Sequence, residues 1–448
     1  MTRRARAVLI STYDLGRQPF GLASPAAWLR KDGIDVRCLD LSLHRLDEEA
    51  IREADLVAFH LPMHTATRLA VRLAARVRAL NPRASLCFYG LYAAMNEALL
   101  RRLGAAAILS GEFEHDLLHF ARRIAQGERP RIPGDTAISM DRLDFLVPDR
   151  SDLPPLSRYA RVVMPEGEER VTGYTEASRG CRHMCRHCPI VPVYDGLFRI
   201  VPQDVVLEDV ARQVAAGARH VTFGDPDFLN APRHALEIAG ALHDRHPELT
   251  WDATIKVEHL LRHAGELPRL ASLGCLFVTS AIESFDDEVL ALLDKGHTRK
   301  DAFDVVALCR AAGVALHPTF VAFTPWTTAA SYADFLRILE DLDLVDSVPP
   351  VQLALRLLIP AGSRLLSLRQ VREIARTFDE EALVHPWVHV DPAVDRLQSD
   401  VMALVGSGQS TAGRELFEAV ARLAGVAPKR TPGTARAAIP FLTEPWYC

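Results

Sequence analysis

The chain has 448 residues, more than one ordinary domain needs, and at 49% hydrophobic and 24% charged it has ample material for buried cores. A net charge of −5, with basic residues spread along the expected helices, argues against nucleic acid as the main partner, since phosphate binding wants a concentrated basic stripe. No apolar run reaches membrane-spanning length, and the short run behind the basic Met1–Arg6 segment reads as a strand and not a signal core, so a cytoplasmic protein with no membrane partner is expected.

Residues 1–130 alternate short apolar runs with helical periods. Strands are expected at Val8–Thr12, Val36–Leu41, Leu56–His60, Leu86–Gly90 and Ala105–Gly111. Helices are expected around Pro25–Lys31, Thr65–Leu80 and Glu114–Ala125. Such alternation predicts a doubly wound parallel sheet, whose ligands sit beyond the carboxyl ends of its strands. His60 and His64 in those loops read as loop or helix-start residues. Residues 131–170 form a connector broken by Pro133, Pro148, Pro154 and Pro155.

Gly173–Ala177 is the next strand, and it leads into Gly180-Cys-Arg-His-Met-Cys-Arg-His-Cys188. Three thiolates in one short loop, Cys181, Cys185 and Cys188, suit an iron–sulfur cluster and leave one iron of a cubane open to an outside ligand. Zinc remains an alternative, with His183 or His187 as fourth ligand. A disulfide set is disfavoured by only 8 cysteines in the chain. Beyond the loop, strands are expected at His220–Phe223, Thr250–Lys256, Cys275–Ser284, Ala315–Phe323 and Val351–Leu358, with helices over Pro202–Ala215, Arg233–Asp244 and Asp286–Leu293. Six βα units over 171–365 predict a partial (β/α)6 barrel, with its polar site residues at the carboxyl ends of the strands. Those ends carry Gly224, Asp225 and Asp227, then Lys256, then Glu283 and Ser284. Taken singly, the acidic residues would serve equally well as helix caps, and Lys256 as a solvated charge. Cys275 and Cys309 fall on apolar positions and read as core.

The Cys-x3-Cys-x2-Cys spacing with a ring-bearing residue, His187, before the last Cys resembles the signature of the radical S-adenosylmethionine (SAM) superfamily. The amino-terminal layout, with its Gly111-Glu-Phe-Glu, and the crossover-like connector resemble that superfamily's cobalamin-binding subclass. The subclass's Asp-x-His-x-x-Gly is absent from the loop after strand one, which reads Tyr13-Asp-Leu-Gly-Arg-Gln-Pro-Phe-Gly. The resemblance implies a [4Fe-4S] cluster on Cys181, Cys185 and Cys188 that binds SAM and cleaves it reductively to a deoxyadenosyl radical. It implies SAM contacts at His187, Gly224, Asp225, Asp227, Lys256, Glu283 and Ser284, with a carboxylate pairing the SAM ammonium and Lys256 meeting a carboxylate. It leaves open whether cobalamin is bound. The partners it implies are a small-molecule or peptide substrate and an electron donor such as flavodoxin or ferredoxin. The activities it suggests are methyl or alkyl transfer with cobalamin, or transfer of another SAM fragment without it. A zinc or iron–sulfur module without turnover is the rival.

Residues 366–448 read as a helical extension, with helices at Leu368–Phe378, Val394–Val405 and Glu415–Ala424 and a basic loop over 428–436. The final Pro445-Trp-Tyr-Cys448 resembles the radical SAM family named for its CUAEP or CCAEP tail, in which selenocysteine or a second Cys follows. That resemblance implies a reading stopped at a UGA codon, with Cys448 reactive beside a missing selenol. The alternative is a natural end with one inert thiol.

Overall fold

The computed structural model describes residues 4–128, 137–407, 413–429 and 439–443. Cys448 and most of the expected basic loop lie outside these. Six parallel strands make the first sheet: β1 (Arg6–Ser11), β2 (Asp35–Asp40), β3 (Leu56–His60), β4 (Ser85–Tyr89), β5 (Ala107–Gly111) and β6 (Ala137–Ser139), in the order β2-β1-β3-β4-β5-β6. Their apolar runs are nearly continuous because both faces are covered. Successive residues alternate between the two cores. Leu9 packs with Leu22, Leu29 and Leu117 under the helices Phe20–Lys31 and Glu114–Ala125, while Ile10 packs with Phe59, Ala70 and Val77 under His64–Leu80. The order reverses at β1 and β3, so the crevice between their carboxyl ends is the ligand-binding position of this topology.

From Ala137 on, the stretch expected as a connector is ordered structure. It supplies β6 and then a strap that staples the two sheets together. Asp152 Oδ2 accepts the Cys38 backbone N–H at 2.7 Å, Tyr159 donates its hydroxyl to Asp40 Oδ2 at 2.8 Å, and Gln18 Nε2 donates to the Pro154 carbonyl at 2.9 Å. Arg150 crosses to the second sheet, donating to both oxygens of Asp209 at 3.0 Å and to the Tyr174 carbonyl at 2.7 Å. Prolines fix the strap's path while these side chains satisfy the backbone.

The second sheet begins with β7 (Arg161–Val163) and β8 (Glu169–Thr175). A small antiparallel hairpin follows, β9 (Ser178–Gly180) with β10 (Phe198–Ile200). Then come β11 (His220–Phe223), β12 (Thr250–Thr254), β13 (Cys275–Glu283), β14 (Ala315–Phe320) and, near the chain's end, β15 (Phe441–Leu442). The sheet order is β14-β13-β12-β11-β8-β7-β15, with β8 and β11–β14 parallel and β7 and β15 added antiparallel on the β8 edge. It curls into a half barrel, and the Phe223, Phe228 and Trp251 rings pack 4.7–5.7 Å apart in its hydrophobic core with the helices that cover it.

The sixth barrel strand expected at Val351–Leu358 does not form. Pro350 opens a 3-10 turn over Pro350–Leu353, and only Arg356 bridges to the sheet side, at Phe323. The Arg356 guanidinium is drawn away to Asp395 Oδ1 and the Trp387 carbonyl, both at 2.7 Å, and lies 3.5 Å over the Trp387 ring. Cation–π and charge-assisted contacts outweigh the alternating pattern there. The helix expected at Leu368–Phe378 is likewise shorter, Arg369–Ile374, while Pro392–Ser407 and Gly413–Leu423 pack on the barrel core through Val401, Phe417 and Val420. Among the described residues no helix is long and apolar enough to cross a membrane.

Candidate active site

All three loop cysteines hang from the β9–β10 hairpin, at the end where the parallel strands present their carboxyl termini. Gly180 makes the exit turn at φ +76°, where a Cβ would stand 2.4 Å from the Tyr194 ring and 2.5 Å from the Leu197 carbonyl, so only glycine fits. The loop is pinned at both ends. Asn230 donates to the Gly180 carbonyl at 3.3 Å, and the Arg186 backbone N–H donates to the Leu293 carbonyl at 2.9 Å. The Arg186 guanidinium also caps the carboxyl end of the helix Asp287–Leu293 through the Ala291 and Leu292 carbonyls.

No disulfide joins the three cysteines, and Cys181 and Cys185 are buried. Burial pushes the Cys181 thiol up to about 11 and Cys188 up to about 12, the neighbouring cysteines adding to both. A trio of thiols that feel one another's charge, on one fixed loop, fits a cluster ligand set, and binding an iron there would take their protons off. His183 does not close a fourth corner on this trio. Its ring lies instead with Cys181 alone and Asp227, the three ligand atoms within 4.8 Å of one another.

The strand-end residues converge on the loop in unequal ways. Asp225 is turned inward to the backbone, accepting from the Ala177 N–H at 2.8 Å and the Ser178 hydroxyl at 2.6 Å, and burial pushes its carboxyl up to about 7. It holds the hairpin entrance and caps no helix. Asp227 faces His259 Nδ1 at 2.6 Å and His183 Nε2 at 3.5 Å and accepts the Lys256 backbone N–H at 3.4 Å. Burial opposes its charge, but the two histidines overcome that and hold it low, at about 2. Gly224 leaves room for Tyr174, whose hydroxyl would lie 1.7 Å from an added Cβ.

Glu283 ends β13 at a register shift against β14 and takes φ +69°, a left-handed backbone unusual outside glycine. Its carboxylate meets His187 Nε2 at 3.3 Å and Lys295 Nζ at 3.6 Å. The Lys295 charge and the His187 hydrogen bond outweigh burial and keep it ionised, at about 2. Ser284 accepts the Asp286 N–H at 3.0 Å, and Asp286 in turn caps the helix that follows. A cleft of about 200 Å³ opens beside Glu283 and Ser284, lined also by Asp287, Arg299 and Asp334. Among the described residues no side-chain carboxylate lies within 4.0 Å of Lys256 Nζ. Its Nζ lies 3.4 Å from Cys185 Sγ and 3.2 Å from the Lys295 carbonyl.

The amino-terminal sheet ends against this loop. Arg179, two residues ahead of Cys181, reaches back to Glu112 at 3.4 Å, Glu114 at 2.8 Å and Glu176 at 2.8 Å, and Tyr194 donates to Glu112 at 3.0 Å. At the carboxyl ends of the switch-point strands and just past β5, three buried polar atoms lack a hydrogen-bond partner among the described residues: Ser11 Oγ, His60 Nδ1 and Glu114 Oε2. Orphan groups at that crevice fit a polar ligand bound there. His64, by contrast, starts its helix and bonds the Ala382 carbonyl at 2.7 Å.

Arg179, His259 and Lys295 were not singled out by sequence, and His183 only as a candidate zinc ligand. The Gly111-Glu-Phe-Glu motif was the one signal toward Arg179, and the Lys295-Gly-His run after a helix toward Lys295.

The Radical SAM superfamily profile matches residues 175–339. A tRNA-2-methylthio-N(6)-dimethylallyladenosine synthase from Roseiflexus sp. (strain RS-1) is 27% identical over 179 residues, 36% of this chain and 36% of that protein. The hopanoid C-3 methylase of Methylococcus capsulatus (strain ATCC 33009 / NCIMB 11132 / Bath) is 24% identical over 325 residues, 69% of this chain and 62% of that protein. The chain thus spans less than two thirds of the length of these curated relatives. Among solved structures, the cobalamin-dependent SAM radical enzyme OxsB, with aqua-cobalamin and SAM bound, superposes with a TM-score of 0.71 at 14% identity, covering 91% of this chain and 67% of OxsB. The radical SAM methyltransferase TsrM from Kitasatospora setae, with tryptophan substrate and a SAM analogue bound, gives 0.66 at 16% identity, covering 90% of this chain and 89% of TsrM. The loop, the half barrel and the sheet before it therefore lead to one assignment: the central domain of this chain is a radical SAM domain, set in the fold that cobalamin-dependent radical SAM enzymes share.

Proposed function

We propose that this chain binds a [4Fe-4S] cluster through Cys181, Cys185 and Cys188, cleaves SAM reductively and transfers a methyl or other alkyl group, with cobalamin held at the amino-terminal sheet. The observation that supports it most is the placement of three free cysteines on one pinned loop beside Glu283, Lys295 and His187. When bound, the cluster supplies the electron for SAM cleavage and cobalamin a carrier for the methyl group.

The chain's own residues bind and orient. Glu283, at the end of its strand beside the open cleft, is the anion for the SAM ammonium or ribose hydroxyls, with Ser284 beside it. His187 and Lys295 hold that carboxylate in place. Asp227, with His183 and His259, is the second anionic group at the strand ends. Asp225 and Gly224 act one step back, fixing the hairpin and Tyr174. The orphaned Ser11, His60 and Glu114 atoms mark where a cobalamin would be held. A small molecule or peptide is the substrate, and a flavodoxin or ferredoxin the reductant.

Anaerobic reconstitution tests this. About four irons per chain, a broad visible absorbance and 5′-deoxyadenosine or S-adenosylhomocysteine from SAM are the expected results. Cobalamin that stays bound through purification supports the carrier role, and SAM cleavage in its absence would move the chain to the cobalamin-independent reading. A single zinc, for which Cys181, His183 and Asp227 are the ready ligands, with no SAM cleavage would overturn the proposal.

A further inference from the structure

Lys256 is a buried lysine whose side-chain nitrogen meets no carboxylate. Only 7% of the residue is exposed, and among the described residues no carboxylate lies within 4.0 Å of its Nζ. Its backbone is fixed, since it stands where β12 passes into the helix Val257–Arg262 and its N–H is bound by Asp227. The side chain is thereby aimed at the cysteine loop and ends 3.4 Å from Cys185 Sγ. The neighbouring lysine differs, because Lys295 has Glu283. An uncompensated buried cation is costly unless an anion is to arrive, and the nearest atom able to become one is the Cys185 sulfur.

We propose that Lys256 is a positioning residue for the cluster: its ammonium donates an N–H···S hydrogen bond to the Cys185 thiolate, holding that ligand and raising the cluster's reduction potential. The inference rests on the three-cysteine cluster reading. A charge-assisted donor stabilises the more negative, reduced core more than the oxidised one, and hydrogen bonds to the sulfurs are an established lever on cluster potential. On reduction the core gains one electron, supplied by dithionite in the test.

The test is an EPR-monitored redox titration of reconstituted wild type, K256M and K256R. K256M should load iron like wild type but be reduced at a lower potential, by about tenfold in the reduction equilibrium, which is ~59 mV for a one-electron couple. K256R, which keeps charge and donor, should recover most of the shift. Wild type labelled with 15N-lysine should show hyperfine coupling from the reduced cluster to a nitrogen, absent in labelled K256R. This readout stands even if K256M fails to fold. A K256M potential equal to wild type, or a coupling that persists in K256R, would overturn the inference while leaving the cluster in place. So would a wild-type potential in K256M with weakened SAM binding, since Lys256 would then serve the nucleotide. A wild-type chain that takes up no cluster of about four irons would overturn the underlying reading, and this inference with it.

Discussion

Two buried charge clusters lie on either side of Gly180, and they are opposite in sign. On the sheet side, one guanidinium, Arg179, faces three carboxylates, Glu112, Glu114 and Glu176. On the loop side, Lys295 and His187 meet one carboxylate, Glu283, while Lys256 turns to the Cys185 sulfur. Burial pushes Glu112 up to about 7, so the anionic seam sheds its excess by holding protons, with Arg179 and Tyr194 binding what remains. The cradle on the loop side differs, because Lys256 lies beside a thiol and a carbonyl instead of a carboxylate. The contrast separates a seam complete in itself from a site built around anions that come from outside.

The comparison breaks most completely at the sulfurs. Cys185→Ala should abolish four-iron uptake and drop SAM cleavage to background while the circular dichroism of the chain stays native, because a buried thiol is replaced by a smaller apolar group. Retained cleavage would remove the cradle's purpose.

Next in size is the seam. Arg179→Met leaves three carboxylates without their cation and should cost about 3–5 kcal/mol in denaturant unfolding. Lys256→Met in the metal-free chain should cost nothing or stabilise it, since it removes a charge that lacks a partner. Equal losses in the two variants would erase the distinction between seam and cradle.

Gly224→Ala places a methyl 1.7 Å from the Tyr174 hydroxyl, between the two clusters, and should destabilise by about 1–3 kcal/mol, read as a lower denaturation midpoint.

The smallest effect is on pH dependence. Glu112 and Asp14 are both raised to about 7, chiefly by burial, from ordinary values of 4.5 and 3.8. Between about pH 4 and 7 the folded chain holds protons that the unfolded chain has released, so their contribution falls as pH rises through that window and is flat above it. Asp227, lowered to about 2, acts in the opposite sense, its contribution present above about pH 4 and lost as pH falls toward 2. Melting temperature against pH should therefore decline from mildly acidic to neutral, and Glu112→Gln should flatten that decline.

Much of this was legible from the residues alone, for a physical reason. Parallel strands buried on both faces are apolar runs, so β1, β3, β4 and β11 announce themselves, and the cysteine spacing specifies its loop. The missing sixth strand shows the limit. Val351-Gln-Leu-Ala-Leu-Arg-Leu-Leu alternates as a strand should, yet Arg356 is claimed by Asp395 and Trp387, which are remote in the chain. The same holds for Arg179, whose partners Glu112 and Glu114 lie more than sixty residues upstream. Lys256 was noticed from its position at a strand end, but its neighbour was not foreseeable. Which of several polar atoms a long side chain meets is decided by tertiary packing, and no local pattern encodes it.

The spacing Arg179-Gly180-Cys181 has a mechanical corollary. The anchor of the leading sheet and Cys181, the first sulfur of the loop, are separated by a single glycine, itself wedged against Tyr194. A tilt of one half of the molecule against the other therefore acts directly on the sulfur, and the two halves must travel as a coupled pair or not at all.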